Sequence, residues 1–139
     1  MRYFLYLSLI ILFFGNCTRY NFDRIFHCVE LTQNIPIINL VVLSDNNCGY
    51  CKIALSELEH FKNNSKIKIN IVEFGTENIE ALKERYAQYN FISSTSCEYK
   101  TPKPDFFPQF FLFDKNNELI WSKKGWFSRN LIEIEDNLN

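Results

Sequence analysis

From Ile37 to Leu43 the chain is almost unbroken in apolar residues, the pattern of a short strand covered on both faces. A polar stretch, Ser44 to Asn47, interrupts it, and from Tyr50 the apolar positions Ala54, Leu55, Leu58 and Phe61 recur at helical spacing. That helix runs to about Lys62, where Asn63-Asn64-Ser65 signals a turn. Lys66 to Phe74 then alternates, with Ile67, Ile69 and Ile71 set against Lys66, Lys68 and Asn70. This predicts a second strand, parallel to the first if the helix between them is a crossover. Gly75 turns the chain, Thr76 is placed to cap, and Ile79, Leu82, Tyr86 and Tyr89 mark one face of a helix lasting to about Asn90.

Phe91 to Phe107 carries no period, and seventeen irregular residues make a long loop for a compact domain, which points to function or mobility. Gln109 to Asp114 is apolar and aromatic, Lys115-Asn116-Asn117 is a turn, and Glu118 to Lys123 alternates around Leu119 and Trp121, together a β-hairpin. Gly125 ends it. Ser128 stands as N-cap of a last helix carrying Leu131, Ile134 and Leu138 on one side, with Glu135 the polar misfit. Ahead of Pro36, Phe22, Ile25, Phe26 and Val29 fit either one helical stripe or an extended arm.

A chain of 139 residues with 47% apolar content is one domain, able to bury a core without staples. The formal charge is −1 with both signs interspersed, so no basic stripe is present for nucleic acid. Lys100, Lys103, Lys123 and Lys124 are expected to form a solvated face. His27 and His60 have no partners at metal-ligand spacing and read as surface or helix-face residues.

The N-terminus reads as a targeting segment. Met1-Arg2-Tyr3 is a singly charged start, and Phe4 to Phe14 is apolar but for Ser8, too short to span a bilayer as an ordinary anchor. Phe14-Gly15-Asn16-Cys17 resembles the lipobox of bacterial lipoproteins, which implies acylation of Cys17 and a membrane tether. The expected division is therefore an export signal over residues 1–16, a tether or arm over 17–35 and a folded domain over 36–139. A soluble secreted product and an uncleaved signal anchor are the alternatives, and each places the domain outside the cytoplasm, where disulfides persist.

Cys48-Gly49-Tyr50-Cys51 lies where the first strand gives way to the first helix. Exposed N–H groups and the positive end of the dipole at a helix N-terminus favour a thiolate, and two cysteines three apart share one side of the first turn. Such a pair can open and close as a redox device, with Cys48 the better nucleophile. The alternative is two ligands of a metal site, but no second C-x-x-C or H-x-x-x-H supplies the rest. Cys28 and Cys97 flank the core in unpatterned segments. A bridge between them would close a loop of about 70 residues, worth around 4 kcal/mol in the chain-entropy view; otherwise Cys97 is a third redox thiol near Cys48.

Three local matches carry a family resemblance. They are Cys48-Gly49-Tyr50-Cys51 after a buried strand, Phe107-Pro108-Gln109-Phe110-Phe111-Leu112-Phe113-Asp114 opening on a proline, and Asn116-Asn117-Glu118 through Gly125 as a closing hairpin. Over roughly Ile37 to Leu138 the chain resembles the thioredoxin superfamily. The resemblance implies an α/β thioredoxin-like fold, a central mixed sheet flanked by helices, with a cis peptide at Phe107–Pro108. It implies catalysis by Cys48 and Cys51, substrate contacts at Gly49, Tyr50, Phe107 and Pro108, no bound cofactor and no metal. Its partners would be protein thiols and disulfides and a membrane or periplasmic electron donor or acceptor. The Gly-Tyr pair is shared with periplasmic disulfide isomerases, while export and small size are similar to membrane-tethered reductases, so the direction of electron flow stays open. A thioredoxin-fold binding module or metal carrier using the same cysteines is the competing reading. Thioredoxin itself has Trp where Asn47 stands and a buried acid where Val42 stands; the proton acceptor for Cys51 must then lie elsewhere, with Glu73 on the adjacent strand as candidate.

Overall fold

The computed structural model describes Val29 and residues 37–75, 78–96 and 103–139. The expected signal segment and arm, apart from Val29, fall outside these residues, as do Cys17, Cys28 and Cys97. The described elements run β1 (Ile38–Ser44), α1 (Gly49–Glu57) continued by a 3₁₀ turn (Leu58–Phe61), β2 (Ile67–Glu73), α2 (Ile79–Arg85), β3 (Asn90–Ser93), β4 (Gln109–Phe113), β5 (Leu119–Lys124) and α3 (Arg129–Leu138). The strands form one sheet in the order β3-β2-β1-β4-β5. β1, β2 and β3 are parallel neighbours, and β4 and β5 run antiparallel beside β1.

Two successive parallel crossovers stepping outward in the same direction, each right-handed as such units are, carry α1 and α2 to the same face of the sheet. Leu40 and Val42 of β1, Ile67, Ile69 and Ile71 of β2 and Phe110 and Leu112 of β4 point to that face. They pack there on Ala54, Leu55 and Leu58 from α1 and its extension, on Tyr86, Tyr89 and Phe91, and on Ile134 and Leu138 from α3. Burial of each such large apolar side chain is worth about 1.5–3 kcal/mol, which makes this the dominant core. On the other face Val41, Leu43, Val72, Phe111 and Phe113 form a second cluster that includes Val29. β1, in the middle, is buried on both sides, which explains its nearly continuous apolar sequence.

Three local expectations differ from the structure. Asn90, read as the end of the helix, and Phe91 to Ser93, read as the start of an irregular loop, form a short edge strand paired with Asn70–Glu73. α2 ends at Arg85, with Tyr86 at φ −125°, ψ 55°; its start is capped by Asn78, whose side chain accepts from the Ala81 N–H, and Thr76 lies outside the described residues. Tyr86 and Tyr89 still line the core, but they do so from a turn, with their rings stacked at 5.9 Å. Ser128 precedes α3 but makes no capping hydrogen bond with its side chain. No helix among the described residues is long and apolar enough to cross a membrane.

Candidate active site

The C-terminal ends of β1 and β2 build the site. In the parallel register Ser44 lies opposite Glu73, so both side chains emerge on the α1 face at the sheet's edge. The Phe74 N–H donates to the Ser44 carbonyl (2.9 Å), and the chain of β1 then turns. Asp45 closes that turn: its carbonyl accepts from the Cys48 N–H at 2.9 Å and its Oδ1 from the Asn47 N–H at 2.9 Å. This is the local geometry for which Asp is favoured in turns. Glu73, only 2% exposed, pins the turn from the next strand, its Oε1 accepting from the Asn46 N–H (2.7 Å) and the Gly75 N–H (3.1 Å). Gly75 is required by close approach, because a Cβ there would stand 2.0 Å from Asp45 Oδ1.

Asp45 is buried, and Lys103 Nζ reaches its Oδ2 at 2.5 Å. Burial alone would raise the Asp45 carboxyl, but the Lys103 ammonium and the Asn47 N–H outweigh it and hold the group below the usual carboxylate range. Lys103 also lies over the Phe107 ring, 5.7 Å from its centroid. Lys103 is exposed, as expected of a solvated face, and its ammonium also ties the segment before Pro108 to the active-site turn.

Cys48 is the N-cap residue of α1, half-exposed, with φ −87° and ψ 116°. Its Sγ accepts from the Cys51 N–H at 3.2 Å and lies 3.7 Å from the Phe107 carbonyl oxygen. Cys51 is 1% exposed, and both thiols are free. Burial pushes the Cys51 thiol up to about 12, and the neighbouring Cys48 sulfur adds to the rise, while the Asp45 N–H pulls the other way. At neutral pH Cys51 is therefore a protonated thiol behind an accessible partner.

The Phe107–Pro108 peptide is cis, as the resemblance implies. Pro108 is buried, and its carbonyl accepts from the Gly125 N–H at 2.8 Å. Gly125 has φ 82°, where glycine is favoured, and its own carbonyl accepts from Asn130 Nδ2 at 3.1 Å. A Cβ on Gly125 would contact the rings of Phe106 and Phe127, which are exposed, as are Gly49 and Tyr50 in the cysteine motif. Of the residues singled out in the sequence, Cys48, Cys51 and Phe107 meet at one place, with Pro108 directly behind. Trp126 is buried, donating to Glu57 Oε2 at 2.7 Å, and His60 is exposed on Glu135; His27 lies outside the described residues. Among the described residues no three His, Cys, Asp or Glu side chains converge to hold a metal ion. Ser44 and Asp45 belong to the polar stretch before the motif, where the Asp-x-Asn spacing signals a turn, but nothing in the sequence marks their place in the site.

A scan against protein-family models and a search of curated proteins find no match. Solved structures do match. StoA from Bacillus subtilis is 15% identical, with a TM-score of 0.54 over 73% of this chain and 83% of its own. The thioredoxin domain of a thiol-disulfide oxidoreductase from Bacteroides vulgatus is 16% identical, with a TM-score of 0.58 over 75% and 81%. A secreted Mycobacterium tuberculosis disulfide oxidoreductase homologous to E. coli DsbE is 8% identical, with a TM-score of 0.58 over 74% and 81%. At these identities the likeness establishes the architecture: the chain has the thioredoxin-like α/β fold, with a five-stranded mixed sheet and its cysteine pair at the start of the helix that follows β1.

Proposed function

We propose that the protein is an extracytoplasmic thiol-disulfide oxidoreductase acting on protein disulfides, held at the membrane by a lipid on Cys17. Cys48 attacks one sulfur of a substrate disulfide, forming a mixed disulfide and expelling the first substrate thiolate. Cys51 then attacks Cys48 Sγ, closing the Cys48–Cys51 disulfide and releasing the second thiolate. The protein dithiol is oxidised by two electrons as the substrate is reduced, and a separate electron donor restores it; run in reverse with an acceptor, the same steps oxidise substrate thiols. Gly49, Tyr50, Phe107 and Pro108 would meet the substrate chain, Phe107 through the carbonyl whose oxygen lies 3.7 Å from the Cys48 sulfur.

The observation that carries this reading is the asymmetry of the pair: Cys48 is half-exposed and capped by the Cys51 N–H, while Cys51 is buried and held protonated. Export is supported by the apolar segment ahead of Cys17, and one structural neighbour is itself described as secreted. The test pairs two variants of the reduced protein on a disulfide-bonded protein substrate. Cys48→Ser should lose reduction entirely, whereas Cys51→Ser should accumulate a mixed disulfide visible as a mass increase at Cys48. Trapping at Cys51, or activity in Cys48→Ser, refutes the assignment; an unmodified Cys17 in membrane-extracted protein refutes the anchor.

A further inference from the structure

Behind the active-site turn lies a small cavity of about 30 Å³, walled by Ser44, Asp45, Asn46, Cys51, Glu73 and Tyr86 among others. A space of that size admits water where polar partners face it. Here they do: Ser44 Oγ, Asn46 Oδ1 and Glu73 Oε2 are buried and, among the described residues, have no hydrogen-bond partner. Ser44 and Glu73 are 1% and 2% exposed, so bulk solvent does not satisfy them. Buried polar groups in native structures are almost always hydrogen-bonded, and three left open around one cavity are rare.

We propose that this cavity holds water joining Glu73 Oε2 to the Cys51 thiol, and that Glu73 accepts the Cys51 proton when the mixed disulfide is resolved. The inference rests on the thiol-disulfide reading above and names the group that reading leaves out. Burial keeps Cys51 protonated, so its attack requires a base that reaches it behind Cys48. Asp45 shares the wall but has both oxygens engaged, Oδ1 by the Asn47 N–H and Oδ2 by Lys103, and these hold it in its ionised form. Glu73 has one oxygen fixed by the Asn46 and Gly75 N–H groups and the other free toward the cavity. Val42, two residues before Ser44 on the same face of β1, is apolar and packed in the core, so it offers no competing base.

The step balances as follows. The proton leaves Cys51 Sγ through the bridging water and lands on Glu73 Oε2. The Cys51 sulfur bonds to Cys48 Sγ, the bond from Cys48 to the substrate sulfur breaks, and the substrate leaves as a thiolate that takes its proton from solvent. Glu73 later returns its proton to solvent. The remaining titratable side chains around the cavity are Asp45, Lys52, Arg85 and Tyr86, with Cys48 and Lys103 adjacent.

The test follows the two steps separately. Reduced protein is mixed with a chromogenic aromatic disulfide, so that Cys48 attack releases one coloured thiolate and Cys51 resolution the second. In Glu73→Gln the first phase should stay within twofold of wild type. Its second phase should slow at least tenfold at pH 7 and rise tenfold per pH unit from 6 to 9, while the wild-type second phase rises less steeply. Ser44→Ala, which removes one partner of the bridging water, should slow the second phase about threefold and leave the first intact. A second phase in Glu73→Gln within twofold of wild type across that range overturns the proposal. So does equal slowing of both phases. Should Glu73→Gln fail to fold, an unchanged second phase in Ser44→Ala, or a wild-type second phase that already rises tenfold per pH unit, overturns it. Absence of the first phase in wild type instead refutes the oxidoreductase reading itself.

Discussion

Replacing Gly75 with alanine should destabilise the reduced protein by about 2–4 kcal/mol, and the cost should vanish when Asp45 is also shortened. The new Cβ would sit 2.0 Å from Asp45 Oδ1 and 2.4 Å from its Cγ, far inside contact distance. Gly75 does not occupy the left-handed region, so the backbone itself accepts an L-residue and the penalty is local to Asp45. Asp45 is 5% exposed and must swing away, breaking the 2.9 Å bond from the Asn47 N–H and the contact with Lys103. A hydrogen bond to a charged group is worth about 1.5–3 kcal/mol. The Lys103 pair adds at most about 1 kcal/mol, discounted because the Lys103 side chain is 59% exposed. Urea unfolding of Gly75→Ala, Asp45→Ala and the double variant forms the cycle. In the Asp45→Ala background the Gly75 substitution should cost less than about 0.5 kcal/mol, a coupling close to the whole effect. A cost that is small in wild type, or equal in both backgrounds, would sink the claim that Asp45 dictates this glycine.

Two further outcomes are expected. Because Cys51 keeps its proton in the folded state up to about 12 against 9.0 in the unfolded chain, the unfolded state binds fewer protons above pH 9 and stability must fall as pH rises toward 12. The slope approaches about 1.4 kcal/mol per pH unit; denaturant titrations of reduced wild type and Cys51→Ala at pH 9 to 11 should differ by that slope, and parallel curves would contradict it. Tyr89→Phe removes the 2.8 Å bond from the Tyr89 hydroxyl to the Leu55 carbonyl and should cost about 1 kcal/mol, read as a lower urea midpoint with unchanged m; a neutral result would mean that bond contributes nothing net.

What the sequence discloses depends on how locally each feature is caused. β1 announces itself because burial on both faces leaves it nearly all apolar, and the hairpin of β4 and β5 because a polar turn sits between an aromatic run and an alternating one. β3 has only Phe91 and Ile92 as apolar residues; its strand conformation is supplied by pairing with β2, and nothing in Asn90–Ser93 specifies that alone. α2 ends before its apolar pattern does for a related reason: Tyr86 and Tyr89 continue the helical spacing of apolar positions, but they reach the core from the turn after the helix. The cysteine pair is legible since strand, turn and helix start are contiguous. Glu73 continues the alternation of Ile67, Ile69 and Ile71 and shares their face, but its place beside the turn after β1 comes only from the parallel register, and the Lys103–Asp45 contact joins residues too far apart for any pattern to link them.

The arrangement of strands also divides the site between two pieces of chain. Residues from Ile38 to Ser93 make a self-contained run of three parallel strands and two helices, ending in its own edge. The segment that brings the Phe107 carbonyl to Cys48 belongs to the other piece, which joins the first through the pairing of β4 with β1, through α3 on the shared core, and through the Lys103–Asp45 tie. That line is a seam. Sub-global opening along it, of the kind read by native-state hydrogen exchange, would leave the cysteine helix folded while stripping away the wall opposite Cys48. Amides of β4 that bond to β1 should then exchange together, ahead of those between β1 and β2.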